Sequence, residues 1–226
     1  MTSSSKLSFV FCHGWGFSPH FWHPLQTCFG DIDCHFINLG YDNAQDFEAP
    51  QLLSSDITYI GVGHSLGLTK LLKLPLKYRA LIGLQSFINF LGFNSDLCIR
   101  RRRAWDIMCQ NFQIYPQKTL NHFYQTCFDS RQDQHRSDLN LTLPRFKILN
   151  QDLKGLSDSH PLPCDIPLLI LGTTHDKIVP PALIYDNFAS IKNVHLDFYP
   201  TDGHCLGYDH SIIVAEKIID FVNNYS

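Results

Sequence analysis

The pentapeptide Gly-His-Ser-Leu-Gly at residues 63–67 constrains the fold more than any other segment of the chain. It directly follows the apolar run 57–62, which is typical of a buried strand, and it precedes residues that favour a helix. A chain that passes from strand to helix this quickly must turn sharply at Ser65, and glycines on both sides leave room for that turn. The pattern predicts an exposed serine hydroxyl at the carboxyl end of a strand. Pro75 predicts that the following helix is short.

Further apolar runs of strand length recur along the chain. They lie at 7–12, 34–39, 80–84, 167–171 and 194–199, and most end at glycine-containing polar loops. Residues 212–222 carry apolar side chains at helical spacing and are predicted to form a closing helix. Continuous apolar strands alternating with helices predict an α/β protein with a mostly parallel, doubly wound sheet covered on both faces.

The character of the sequence changes between residues 92 and 159. This segment is rich in Arg, Gln, Phe and Tyr, shows helical periodicity and has no strand-like run. We interpret it as a small helical lid inserted into a single core, which is made of residues 1–91 and 160–226.

Composition excludes several classes of partner. A 226-residue chain with 44% hydrophobic and 17% charged residues predicts one globular domain, and its net charge of -3 gives no global attraction for nucleic acid. No apolar run reaches the roughly 20 residues of a membrane span, so integral membrane association is not expected. The N-terminus lacks the apolar core of a signal peptide, and the eight cysteines have neither C-x-x-C nor zinc-type spacing. We therefore expect a cytoplasmic protein with reduced thiols and no metal site.

A serine hydroxyl becomes a good nucleophile only beside a general base, which in turn needs an orienting carboxylate. Asp176 and His204 follow the two late apolar runs, where functional groups gather in a parallel sheet. We therefore predict a Ser65, Asp176 and His204 triad. His210 and His175 remain alternative bases, and Asp202 remains an alternative acid.

Acyl transfer also needs two convergent backbone donors for the oxyanion. Leu66 follows the nucleophile, so its N–H is the first candidate. The second is the N–H of Trp15 in the loop after the first predicted strand, where Gly14 and Gly16 allow close backbone approach. This chemistry requires neither a metal nor an organic cofactor.

With these residues assembled, the chain resembles the α/β-hydrolases, especially over residues 9–22 and 166–204. The run His-Gly-Trp-Gly-Phe at 13–17, followed by Trp22, is similar to the BioH group, esterases that cleave pimeloyl-acyl-carrier-protein methyl ester in biotin synthesis. The short segment between Leu39 and Ile57 and the abbreviated helix after Ser65 depart from that group. In these two features the chain resembles the shortened BioG-type relatives, which catalyse the same demethylation.

Two further sets of residues lie in the predicted lid. The run Arg100, Arg101, Arg102 and Arg103 is either a solvated basic face or a docking surface for the acidic carrier protein, because guanidinium groups bind carboxylate and phosphate bidentately. The segment 120–127 resembles the lid helix that contacts substrate in the BioH group, and ordinary lid core is the alternative. Its candidate contacts are Phe123, Tyr124, Gln125 and Cys127.

The sequence thus predicts a serine carboxylesterase, and the resemblance implies the methyl ester of pimeloyl-acyl-carrier protein as its substrate. A generic small-molecule carboxylesterase, a lipase and a thioesterase remain alternatives, because one triad serves all of them. A non-catalytic binding protein on the same fold is the alternative outside enzymes.

Overall fold

A computed structural model describes residues 8–42, 53–54, 57–128, 139–162 and 165–224, with the side chain of Asp202 excepted. Within these residues the core is one sheet of six parallel strands in the order β2-β1-β3-β4-β5-β6. The strands are β1 (Ser8–Cys12), β2 (Asp33–Ile37), β3 (Thr58–His64), β4 (Lys77–Leu84), β5 (Leu168–His175) and β6 (Val194–Asp202).

Helices surround this sheet. A 3₁₀ turn at Pro19–Trp22 precedes α1 (His23–Gln26), α2 (Leu66–Leu71), α3 (Ser95–Ile114), α4 (Pro116–Cys127), α5 (Phe146–Gly155), α6 (Pro181–Phe188), α7 (Leu206–Asp209) and α8 (Ser211–Asn224). In the described part of the chain, no helix is both long and apolar enough to cross a membrane.

The predicted strands all form, and the differences lie at their ends. β3 continues to His64 and β5 to His175, beyond the apolar runs that predicted them. These extra residues are glycines or polar residues, and they lie at the edge of the sheet where the carboxyl ends of the strands meet. α2 has six residues, as short as Pro75 predicted.

The segment 92–159 contributes α3, α4 and α5, while its residues 129–138 lie outside the described part. Its two ends meet. Asn89 and Ser159 form an isolated antiparallel bridge, and the N–H of His160 donates to the carbonyl of Ile88 at 2.9 Å. The chain therefore leaves the sheet after β4 and comes back to nearly the same point before β5.

Polar side chains tie these inserted helices to the core. The carboxylate of Asp152 on α5 pairs with Lys70 of α2 and accepts a hydrogen bond from the hydroxyl of Tyr41 at 2.6 Å. The hydroxyl of Tyr124 on α4 donates to the carbonyl of Gly16 at 2.5 Å. Charge-assisted bonds are stronger than neutral ones, so the Asp152 pair fixes α5 over the carboxyl edge of the sheet.

The packing of α2 on β1 gives a test of the fold. A Cβ at Gly67 would overlap the carbonyl oxygen of Cys12, a rigid backbone atom. We expect Gly67→Ala to lower the free energy of unfolding by about 3 kcal/mol or more, the upper range for overpacking. Gly155→Ala is the control, because a Cβ there meets only a side-chain oxygen of Asp158 at 3.9 Å. Urea titration of both variants measures the difference, and equal stability would contradict this packing.

Candidate active site

Ser65 sits at a strained backbone position between β3 and α2. Its φ of 53° and ψ of -119° lie in a region that residues other than glycine rarely adopt. Such backbone strain costs about 1–3 kcal/mol. A Cβ at Gly63 would overlap the backbone of Leu68, and one at Gly67 would overlap that of Cys12. Both glycines of the pentapeptide are therefore required by backbone contact, as the sequence predicted for this turn.

Asp176 lies in the loop immediately after β5, and both its carboxylate oxygens are fully engaged. Oδ1 accepts the N–H groups of Ile178 at 2.7 Å and Val179 at 2.9 Å. Oδ2 lies 2.6 Å from Nδ1 of His204 and accepts the side-chain amide of Gln85 at 2.9 Å. This donor set holds the carboxylate in one orientation.

His204 is completely buried, and its two ring nitrogens have different surroundings. Nδ1 faces Asp176, whereas Nε2 has no hydrogen-bond partner among the described residues. Neither His175 nor His210, the alternative bases, makes this pair with Asp176; His175 lies exposed at the end of β5. An imidazole with one nitrogen fixed by a carboxylate and the other free is the arrangement that general-base chemistry requires.

The loop at 203–206 carries His204 across the carboxyl ends of three strands. At β3, the ring Nε2 of His64 lies 2.8 Å from the carbonyl oxygen of His204. Just past β4, Gln85 donates to the carbonyl of Gly203 at 2.7 Å and accepts the N–H of Leu206 at 2.8 Å. These contacts carry His204 from the end of β6 to the end of β3, where Ser65 directly precedes α2.

Gln85 and His64 are site residues that the sequence analysis did not identify. Gln85 is buried with a φ of 49°, so its backbone turns its amide towards Asp176 and Gly203. A polar residue directly after the apolar run of β4 was the available signal. His64 stacks on Phe21 with ring centroids 4.2 Å apart, and burial holds the pKa of His64 well below its usual value. It is therefore a neutral ring at neutral pH.

The loop after β1 packs directly on the nucleophile turn. A Cβ at Gly14 would lie 3.0 Å from Cβ of Ser65. His13 supports this loop: the N–H of Leu39 donates to its Nε2 at 3.2 Å, and burial lowers the pKa of His13 to about 4. In the described part of the chain, the backbone N–H groups of Trp15 and Leu66 donate to no acceptor.

A cavity of about 170 Å³ opens beside Ser65, between the core loops and the inserted helices. Its wall is mostly apolar and aromatic. The lining residues are Trp15, Ser65, Leu66, Phe87, Phe90, Arg101, Ala104, Trp105, Met108, Phe123, Leu153, Leu156, Lys177 and Ile178. Drug-sized ligands usually occupy about 300–1,000 Å³, so this space suits a short chain.

The four residues of α4 that were predicted to contact substrate face different surroundings in the structure. Phe123 lines the cavity and packs edge-on against Trp15 at 4.9 Å. Tyr124 instead anchors α4 to Gly16, and the carbonyl of Cys127 accepts the N–H of His204 at 2.7 Å, so neither residue lines the cavity. Gln125 is exposed on the outer side of the helix, which corrects its expected contact with substrate.

The four side chains of the arginine run also face different surroundings, because successive residues of a helix point in different directions. Arg100, Arg102 and Arg103 are exposed on α3. Arg101 turns inward and lines the cavity, so the prediction that all four form one docking surface is wrong for Arg101. The side chain of Asp202, the alternative acid, lies outside the described residues.

Known structures with this architecture cover nearly the whole chain, although no family model and no curated protein sequence matches it. A lipase-esterase related protein from Clostridium acetobutylicum superposes with a TM-score of 0.71 at 16% identity, covering 96% of this chain and 95% of that chain. An esterase from Exiguobacterium antarcticum gives 0.73 at 14%, covering 97% and 92%. MenH from S. aureus gives 0.71 at 16%, covering 99% and 96%. The chain has the α/β-hydrolase fold, as its sequence predicted.

Gln85 provides a test of how the site is held together. Gln85→Met keeps the length of the side chain but removes its bonds to Asp176, Gly203 and Leu206. We expect the free energy of unfolding to fall by about 2–3 kcal/mol, because the buried N–H of Leu206 loses its acceptor and Asp176 and Gly203 each lose a donor. Gln113→Met, at an exposed position of α3, is the matched control. Equal urea midpoints for the two variants would show that the Gln85 network does not support the loop.

Proposed function

We propose that this protein is a carboxylic ester hydrolase in which Ser65 is the nucleophile, His204 the general base and Asp176 the orienting acid. The observation that carries the proposal is the buried His204–Asp176 pair at 2.6 Å with Nε2 left unpaired. Beside it, the strained turn presents Ser65 to an apolar cavity. Backbone strain and a buried unpaired nitrogen are costly, and both are typical of functional sites.

In this mechanism, His204 Nε2 accepts the proton of the Ser65 hydroxyl while Oγ bonds to the ester carbonyl carbon. Asp176 holds Nδ1–H in place and stabilises the imidazolium. When the tetrahedral intermediate collapses, the carbon–alkoxy bond breaks and His204 protonates the departing alcohol. A water molecule, deprotonated by His204, then attacks the acyl-enzyme, and the proton returns to Ser65 as the acid leaves.

The oxyanion of each tetrahedral intermediate needs two donors. We assign the backbone N–H groups of Trp15 and Leu66 to this role. Both residues line the cavity with Ser65, and neither N–H donates to another acceptor in the described structure. The close approach of this loop also supports the assignment, because a Cβ at Gly14 would lie 2.8 Å from Nδ1 of His64 and 3.0 Å from Cβ of Ser65. Each such donor contributes about 10²–10³-fold to turnover.

The size and lining of the cavity favour short esters over the long chains that lipases cleave. Thioesters use the same chemistry and remain an alternative substrate. The esterase and lipase-esterase descriptions of structures with this fold also support the ester assignment. A non-catalytic binding protein, in contrast, has no need for an unpaired buried imidazole nitrogen beside a strained serine.

A more specific proposal is that the ester is pimeloyl methyl ester carried on an acyl carrier protein. The resemblance of residues 13–17 and Trp22 to the BioH group supports it. So does the exposure of Arg100, Arg102 and Arg103, which gives α3 a cationic surface for an acidic partner. Arg101 is not part of that surface, because it faces the cavity.

The triad predicts selective covalent labelling. A fluorophosphonate should label the wild-type protein at Ser65 and should fail to label Ser65→Ala, because the reagent needs an activated hydroxyl. Ser65→Ala, His204→Ala and Asp176→Asn should each reduce kcat/KM for a p-nitrophenyl ester by about 10⁴-fold. Circular dichroism provides the folding control. A folded Ser65→Ala variant with wild-type turnover would refute the assignment.

Carrier docking predicts a salt dependence that small esters lack. Arg100→Glu combined with Arg103→Glu should lower kcat/KM for carrier-bound pimeloyl methyl ester severely and leave p-nitrophenyl ester hydrolysis unchanged, since the triad is intact. Raising salt should inhibit only the carrier-bound reaction, because screening weakens exposed charge pairs. Measuring both substrates across a salt series decides the matter, and parallel behaviour would exclude carrier docking at α3.

A further inference from the structure

Arg101 is a cation held in place by neutral groups. Its Nε donates to the carbonyl of Phe90 at 2.6 Å, and Nη2 donates to the carbonyl of Ile178 at 3.1 Å. Its guanidinium also lies over the ring of Phe90, 4.3 Å from the centroid. A guanidinium has five N–H donors, so most of them remain available beyond these two bonds.

Among the described residues, Arg101 has no counter-ion in the cavity. The described lining includes no carboxylate, and the second charged residue there is Lys177, which is also a cation. Asp176 is the acidic group that acts on Arg101 electrostatically, but its oxygens are engaged by His204, Gln85, Ile178 and Val179. Burial lowers the pKa of Arg101 to about 10, so it stays protonated at neutral pH.

An unpaired cation at the wall of an apolar cavity is costly, and a bound anion removes that cost. The contacts of Arg101 also orient its guanidinium for binding a carboxylate. Because Nε and Nη2 are tied to backbone carbonyls and the guanidinium carbon lies over the ring of Phe90, the group is held in one place, and its remaining N–H donors suit a planar carboxylate. Lys177 is exposed and adds a second cation.

We propose that Arg101 and Lys177 form an anion subsite in the cavity beside Ser65, so that the preferred substrates are esters whose acyl part carries a free carboxylate. The inference rests on the esterase activity proposed above. It is an alternative to carrier-bound pimeloyl methyl ester, in which one carboxyl group is a methyl ester and the other a thioester, so that no free carboxylate is left for Arg101. In this arrangement Ser65 attacks one end of a short diacid hemi-ester while Arg101 binds the other.

The test compares two esters that differ only in charge. Mono-4-nitrophenyl adipate and 4-nitrophenyl hexanoate share a leaving group and a chain length. We expect wild-type kcat/KM to favour the adipate by tenfold or more. Arg101→Gln should lower the ratio of the two kcat/KM values at least tenfold, the size expected for a charged hydrogen bond. Arg101→Lys should retain part of the preference because it keeps the charge but loses the planar edge.

Lys147→Gln is the control for loss of one positive charge on the inserted helices, because this residue is exposed on α5 and outside the cavity. It should leave both rates unchanged. A wild-type enzyme that does not prefer adipate, or a preference that survives Arg101→Gln, would overturn the subsite.

A binding experiment separates failure of the subsite from failure of the esterase proposal. Calorimetry of monomethyl adipate with Ser65→Ala requires no turnover, and methyl hexanoate serves as the uncharged reference. If Ser65→Ala binds monomethyl adipate and the double variant Ser65→Ala, Arg101→Gln does not, the result supports the subsite even if no ester is hydrolysed. Absence of adipate binding to folded Ser65→Ala contradicts the subsite, whereas loss of labelling and turnover alone contradicts only the esterase.

Discussion

Close contact between backbone segments around Ser65 is the constraint on which the rest of the site depends. α2 can start against β1 only because Gly67 lacks a side chain, and Gly14 lets the loop after β1 lie close to His64 and Ser65. Ser65 has a positive φ at this turn, and Trp15 and Leu66, whose N–H groups have no acceptor in the described part of the chain, line the same cavity. The stability of the sheet core is what maintains this strain.

The sequence predicted the features that follow from local pattern. Apolar runs located the strands, and the glycines around Ser65 together with Pro75 predicted a sharp turn and a short helix. Asp176 and His204 could be paired in advance because parallel strands bring their carboxyl ends to one edge. Gln85 was missed because its function comes from contacts with Asp176, Gly203 and Leu206, which are distant in sequence and share no local pattern.

The inserted helices were predicted less well, for a related reason. Helical periodicity identifies a helix, but the direction of each side chain depends on what the helix packs against. Four consecutive arginines look alike in sequence, yet the helix turns Arg101 towards Phe90 and leaves Arg100 and Arg103 in solvent. Similarly, Phe123 faces the cavity while Gln125 faces outwards. The side chains that these helices turn towards the cavity therefore cannot be deduced from composition alone.

The bridge between Asn89 and Ser159 has an evolutionary consequence. Because the intervening segment begins and ends at adjacent points, it can be lengthened, shortened or exchanged without altering the register of β4 and β5. A change in this segment thus need not change the strands that carry Ser65, Asp176 and His204. Such an exchange is not free of constraint, since a transplanted segment must still supply a carboxylate for Lys70 and Tyr41, which Asp152 now provides.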